Sequence, residues 1–429
     1  MSGFGKLRGR PIFALLLVAL LALFIAACGG DDDSTGSSES TPASTEESGG
    51  EGGGALLEPT ATAAGASYLY GDVELGGGIH PGESGDELAE KSIKAGEEAG
   101  EEAGPAKLPS ATIGIINFLN GIESSDRLAD AATYAAGELE WNTIVCDGKG
   151  TPSQFVACGN SLIAQGVDGI LAIAIEPGQI SSVVAKANSA GIPIAQIGGG
   201  GVPLGDYNGN YGPNEAKAGE LLTEGIFEQL DPLEGNPEII VHNFPAKWGS
   251  ERTEQLEKAV SEQDKIKIAD NVVTDAADLV PFTERTVATQ ITQYPDASAY
   301  WFTFDTTGQV GGGVISSKYP GKEFPEKPLV ATFHGDQATL GLIAQGDIDL
   351  ISDVNYDASS WMGVDGIATE LARKEPMSTE NQPKYPVIGD AFTYVNVTKE
   401  NLPPEGNYTP TEWDVPAYFI SKWKAEYGK

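Results

Sequence analysis

The chain has 429 residues, 40% of them hydrophobic, enough to bury at least one large core and more naturally two. Its 62 acidic side chains against 26 basic ones leave a formal net charge of -36. A chain this acidic repels phosphate backbones, which argues against a nucleic-acid partner; the plain consequence of the acidity is solubility.

At the start, Lys6, Arg8 and Arg10 precede an uninterrupted apolar run from Ile12 to Ile25, closed by Ala26 and Ala27. That is the three-part layout of a secretory signal. The run is shorter than the roughly 20 residues that span a bilayer comfortably, so a permanent membrane helix is the weaker reading. Ile25-Ala26-Ala27-Cys28 resembles the lipobox of bacterial lipoproteins, in which the cysteine is lipidated and becomes the new amino terminus. The resemblance implies that residues 1–28 form a lipoprotein signal and that Cys28 is the lipidation site. A two-chain lipid would then hold the protein on the outer face of the cell membrane, where a single chain gives only marginal binding.

Residues 29–107 are rich in Gly, Ser, Thr, Glu and Ala and carry few large apolar side chains. Such a segment cannot bury enough surface to offset the entropy of ordering, and it reads as a disordered acidic tether. A flexible chain of roughly 80 residues has an r.m.s. span of about 50 Å, enough to let a globular body move over a membrane. Within it "DELAEKSIKAGEEAGEE" predicts a fraying helix and "SYLYGDVEL" an apolar island able to dock on the body.

From Ala111 the pattern changes. "TIGIIN", "NTIVC", "GILAIAI" and "IPIAQI" read as buried parallel strands, apolar on both faces as sheets covered by helices require. "DRLADAATYAAGEL", "SQFVACGNSLIAQG" and "QISSVVAKANSAG" between them are helical by periodicity, two ending at a glycine suited to a C-cap. The alternation predicts a doubly wound open sheet with right-handed crossovers. It restarts near residue 237 with "PEIIVHN", "KIKIADNVV", "SAYWFTF" and "PLVATF", separated by helices such as "SERTEQLEKAVSEQ". Two series imply two similar α/β lobes, and a cleft between facing sheets is a common site for small molecules.

In order and spacing, "ATIGIINF", "SLIAQGVDGILAIAIEP", "ANSAGIPIAQI", "GSERTEQLEKAV", "LIAQGDIDL" and "SSWMGVDGIATELA" resemble the type I periplasmic solute-binding proteins. Within them the likeness is to the ribose-binding-like branch that feeds ABC importers. The resemblance implies an α/β fold of two doubly wound parallel-sheet lobes joined by a hinge. Lobe 1 is expected over 108–232 plus 357–385 and lobe 2 over 233–356 plus 386–405, with a C-terminal tail, 406–429, packed on the body. It implies a monomeric, non-enzymatic receptor that captures a small polar organic ligand, sugar or sugar-like, and delivers it to ABC permease subunits. The alternative with the same fold is a sensory protein presenting ligand to a membrane histidine kinase or chemoreceptor.

Loops after the strands furnish the ligand contacts in that family. Carried onto this chain, they point to Phe118, Asn120 and Glu123 after the first strand. In the second lobe Arg252 is the candidate for a bidentate grip on ligand oxygens, with Trp248 just before it able to offer a stacking face. Asp305 matches a family position, Phe304 stands where relatives often carry Asn, and His334 stands where many have Asp. Near the last crossover, "ISDVNYDASSW" supplies Asp353, Asn355 and Asp357. Gly198 to Gly201 lack the Lys-Ser/Thr of a phosphate loop and read as a pliable loop or a site opened for a bulkier ligand.

Cys146 ends a strand and Cys158 lies in the helix that follows. Export permits oxidation, and this geometry can bring the two Cα atoms within bridging range. A disulfide is the expectation, a pair of small buried hydrophobes the alternative. His80, His242 and His334 are scattered and no HxxH or CxxC spacing suggests a metal. With no nucleophile elbow, dinucleotide fingerprint or phosphate loop in context, neither cofactor nor catalysis is expected.

Overall fold

The computed structural model describes residues 85–378, 391–404, 408–409 and 411–429. The signal, Cys28, the apolar island and the first part of the tether lie outside the described residues.

Strands β1 (Thr112–Asn117), β2 (Asn142–Asp147), β3 (Gly169–Ile173), β4 (Ile194–Ile197) and β5 (Gly209–Tyr211) form a five-stranded sheet in the order β2-β1-β3-β4-β5. Every pairing in it is parallel. The apolar runs supply strands buried on both faces: Ile113, Ile115 and Ile116 are fully buried. Helices α2 (Glu123–Glu138), α3 (Pro152–Ala164) and α4 (Ser181–Ala190) provide the crossovers. Cys146 and Cys158 are joined in a disulfide, their Cα atoms 5.6 Å apart, which ties the end of β2 to α3. β5 is only three residues long and carries no apolar run to announce it.

The second sheet has six strands in the order β11-β10-β9-β8-β6-β7. They are β6 (Glu238–Asn243), β7 (Lys267–Val273), β8 (Ala299–Phe302), β9 (Leu329–Phe333), β10 (Leu350–Val354) and β11 (Tyr394–Val397). β11 alone is antiparallel, pairing with β10. Helices α5 (Glu215–Leu230), α6 (Lys247–Ser261), α7 (Leu279–Gln293), α8 (Asp305–Lys318) and α9 (Gln337–Gln345) cover it.

The lobe boundaries need one correction. α5, expected in lobe 1, buries Ala218, Leu222, Ile226 and Leu230 in the same core as Ile239, Val241 and Trp301 of the second sheet. The chain therefore crosses over at 212–214, immediately after β5, and not at 232. It crosses back after β10, because α10 (Ala358–Arg373) packs on the first sheet: a Cβ on Gly169 would meet Ile367, and one on Gly363 would meet Ile197. Gly363 and Gly169 are glycine because helix and strand meet too closely for a side chain.

The tether expectation fails over its last part. Residues Gly85–Ala103 form α1, docked against the C-terminal helix α11 (Val415–Tyr427). Leu88, Ala89 and Ala95 are buried. A Cβ on Gly96 would lie 2.2 Å from the Tyr418 carbonyl oxygen, and one on Gly100 would lie 2.4 Å from that of Lys422. Two glycines one turn apart let the backbones approach, a gain that composition does not reveal. α11 is capped by Asp414, which accepts from Ala417 N–H, and begins at a proline in its first turn. Its Phe419 and Trp423, with Trp413 before it, join Trp361 of α10 in the lobe 1 core.

Candidate functional site

A cavity of about 50 Å³ lies at the seam of the two lobes. Lobe 1 contributes Phe118 from the loop after β1, Ser124, Ser125 and Leu128 from α2, and Ile173 and Ala174 from the end of β3. Gly198 and Gly199 close that side. They are held by close packing rather than left pliable, since a Cβ on Gly199 would meet Ala174 Cα at 2.8 Å. Lobe 2 contributes Glu215, Trp248, Arg252, Phe304 and His334. Both walls stand at the carboxyl ends of parallel strands, where open α/β sheets hold ligands.

Arg252, 2% exposed, is fixed by its own lobe. Its Nε donates to Glu215 Oε2 at 2.6 Å, Nη1 to the Thr303 carbonyl at 2.9 Å, and Nη2 to His334 Nε2 at 2.7 Å. Burial raises the pKa of the Glu215 carboxyl, and Arg252 beside it offsets only part of that rise. The guanidinium is therefore engaged within the wall before any ligand arrives. His334, at φ 65, sits in the left-handed region that histidine tolerates better than most residues. Burial first, then Arg252, holds its imidazole neutral, well below its ordinary pKa. Phe244, Trp248 and Phe304 form an aromatic cluster with ring centroids 4.9 to 5.6 Å apart.

Beside the cavity lies a second buried polar cluster that the sequence reading missed. Arg127 of α2, 4% exposed, donates Nη2 to Asp357 Oδ1 at 2.8 Å, and its Nη1 stands 3.8 Å from Asp336 Oδ1. Tyr356 donates to Asp336, and the Arg127 guanidinium lies over the rings of Tyr356 and Tyr408. Burial drives the carboxyls of Asp305 and Asp336 up, that of Asp336 further by the neighbouring charge of Asp305.

Five of the expected residues, Phe118, Trp248, Arg252, Phe304 and His334, are brought together in the cavity wall. The other six stand outside it. Asn120 is exposed and its side chain accepts from Asn117. Asp353 accepts from the Gly335 and Val354 backbone N–H groups, and Asn355 bridges Thr393 N–H and the Ala391 carbonyl, so both serve the crossover. Asp357 pairs with Arg127, and Asp305 accepts from the Thr306 hydroxyl. Glu123 reaches across the seam to α9, accepting from Gln337 N–H at 2.6 Å and Ala338 N–H at 3.0 Å. Glu176 does the same to α6, accepting from Lys247 N–H at 3.1 Å. Each lobe 1 carboxylate thus meets the positive end of a lobe 2 helix.

Among the described residues there is no cluster of side chains able to hold a metal and no helix long and apolar enough to cross a membrane. A cavity walled by two α/β lobes, with carboxylates bonding across their seam, is the arrangement of a bilobal solute-binding protein. A profile of the family described as "Periplasmic binding protein domain" matches residues 113–375, more than half of the chain, and the chain belongs to that family. Its members are extracytoplasmic carriers that bind solutes without transforming them. No curated sequence matches the chain. Among solved structures, a solute-binding protein of Burkholderia graminis in complex with D-arabinose is 21% identical with a TM-score of 0.59, covering 70% of this chain and 98% of that one. One from Bacillus halodurans with bound myo-inositol is 17% identical, TM-score 0.58, covering 74% and 99%. An ABC sugar transporter subunit from Rhodobacter sphaeroides is 17% identical, TM-score 0.56, covering 68% and 99%. These likenesses are of fold.

Proposed function

We propose that this protein is a lipid-anchored, monomeric receptor that captures a small sugar-like solute between its lobes and presents the closed form to an ABC importer. The observation that carries the reading is the origin of the cavity wall: Phe118 and Ser124 come from one lobe, Trp248 and His334 from the other. A solute the size of a sugar ring enters only with the lobes apart, and only closure gives it both walls. Binding energy is then spent on shifting the population toward the closed form. The sugars and polyols bound by the structural relatives support the solute class. The run ending at Cys28 supports the anchor.

Mass spectrometry of the protein purified under native conditions and then denatured should release a small neutral organic compound. Restoring that compound should raise the melting temperature. A purified protein that releases nothing, and that no sugar, polyol or other small solute stabilises, would overturn the reading. For the anchor, labelling with a fatty-acid analogue should mark the wild type and not Cys28→Ser; equal labelling would remove Cys28 from the account.

A further inference from the structure

Two ring nitrogens in the cavity wall are buried donors with no partner in the protein. One is Trp248 Nε1. The other is His334 Nδ1, and its hydrogen follows from its neighbour. Arg252 has only donors, so His334 Nε2, 2.7 Å from Nη2, must accept, and the neutral ring then carries its hydrogen on Nδ1. An unpaired buried donor is costly, so these two nitrogens mark where ligand oxygens belong.

The acceptors of the wall each already serve the protein once. Glu215 Oε1 accepts from Gly200 N–H at 3.2 Å and Oε2 from Arg252. Ser125 Oγ accepts from Leu119 N–H and donates to Asn117. Besides the second lone pairs of Glu215, the lining side chains offer only the hydroxyl oxygens of Ser124 and Ser125 to a ligand's own hydrogens. Around them the wall is hydrocarbon, from Phe118, Leu128, Ile173 and Phe304.

We infer that the cavity selects an uncharged ring compound whose buried oxygens are acceptors only, a lactone, ketone or ether, over the fully hydroxylated sugar of the same ring size. The inference rests on the binding-protein reading and narrows its solute. A free hydroxyl brings a hydrogen with every oxygen, and this wall leaves most of them buried without a partner. An anionic ligand would find the charge of Arg252 already answered by Glu215, and its own burial uncompensated.

The probes are D-ribose, its lactone, its fully O-methylated methyl glycoside and its open aldonate anion, titrated by calorimetry. The lactone and the ether should bind at least about tenfold more tightly than ribose, as one unpaired buried hydroxyl requires, and the aldonate most weakly. His334→Asp places an acceptor beside Arg252 in a residue that tolerates the same backbone geometry, and should turn the preference toward ribose by about tenfold. Trp248→Phe keeps the ring and removes the donor, and should weaken the lactone about fivefold. Ribose bound as tightly as the lactone and the ether by the native protein would overturn the inference and leave the binding-protein reading standing. So would a compound released from the purified protein that is charged or hydroxylated at every ring carbon. No binding of any probe together with no released compound would overturn both.

Discussion

Two arginines occupy corresponding places in the two lobes. Arg127 lies in the first turns of the helix after β1, Arg252 in the first turns of the helix after β6, and both are buried. Their partners differ. Arg252 is held by Glu215, Thr303 and His334, all of lobe 2. Arg127, from lobe 1, faces Asp336 of lobe 2 and Asp357 of the crossover. Arg252 therefore shapes a wall that persists when the lobes part, whereas Arg127 completes its pairing only when they meet. One fold position, used twice, separates building the site from closing it.

The largest effect should come from Arg127→Met. Removing it leaves Asp336 and Asp357 buried without their counter-charge, a loss of about 3–5 kcal/mol by the precedent of broken buried pairs. Urea unfolding would measure it, and neither Asp336→Asn nor Asp357→Asn alone should restore it, because the two acids share the arginine. Arg252→Met should cost a similar amount, but Arg252→Met with Glu215→Gln should recover most of it, since its main counter-charge is a single residue of its own lobe. Recovery in the first case, or none in the second, would erase the distinction between the two arginines.

His242 sharpens the comparison from outside the seam. It is fully buried in lobe 2, paired with Gln290 at 2.7 Å, and burial lowers its pKa from 6.5 to about 4. With a depressed folded-state value, stability is fully present above 6.5 and is lost as the pH falls toward about 4, because the unfolded chain takes up the proton first. The loss is about 3 kcal/mol. His242→Asn should flatten that part of the stability profile without altering ligand-induced closure; a profile as steep as the native one would contradict the assignment.

The smallest effect should come from Glu123→Gln. It weakens one cross-seam helix cap by about 1 kcal/mol or less, which should appear as a modestly weaker affinity and an unchanged fold by circular dichroism. No change in affinity would remove Glu123 from the closing machinery.

These differences also mark what could be read from the sequence. "TIGIIN" and "GILAIAI" announce strands because burial on both faces demands apolar runs. Trp248, Phe304 and Arg252 could be placed at the cavity because strand-end loops line the cleft in this fold. Arg127 could not be, because a lone arginine on a helix is by default a surface residue, and its acidic partner Asp357 lies 230 residues away. For α1 the helix itself was legible in "DELAEKSIKAGEEAGEE" but its docking was not, because the burial of Leu88, Ala89 and Ala95 depends on a helix at the other end of the chain. Asp353 and Asn355 are the opposite case, polar side chains expected at the ligand that bond the backbone of the crossover.

Small-angle X-ray scattering before and after addition of the solute released from the purified protein tests most directly whether capture closes the lobes. The radius of gyration should fall on binding in the native protein and fall less in Arg127→Met. Tight binding with unchanged dimensions in the native protein would contradict the account.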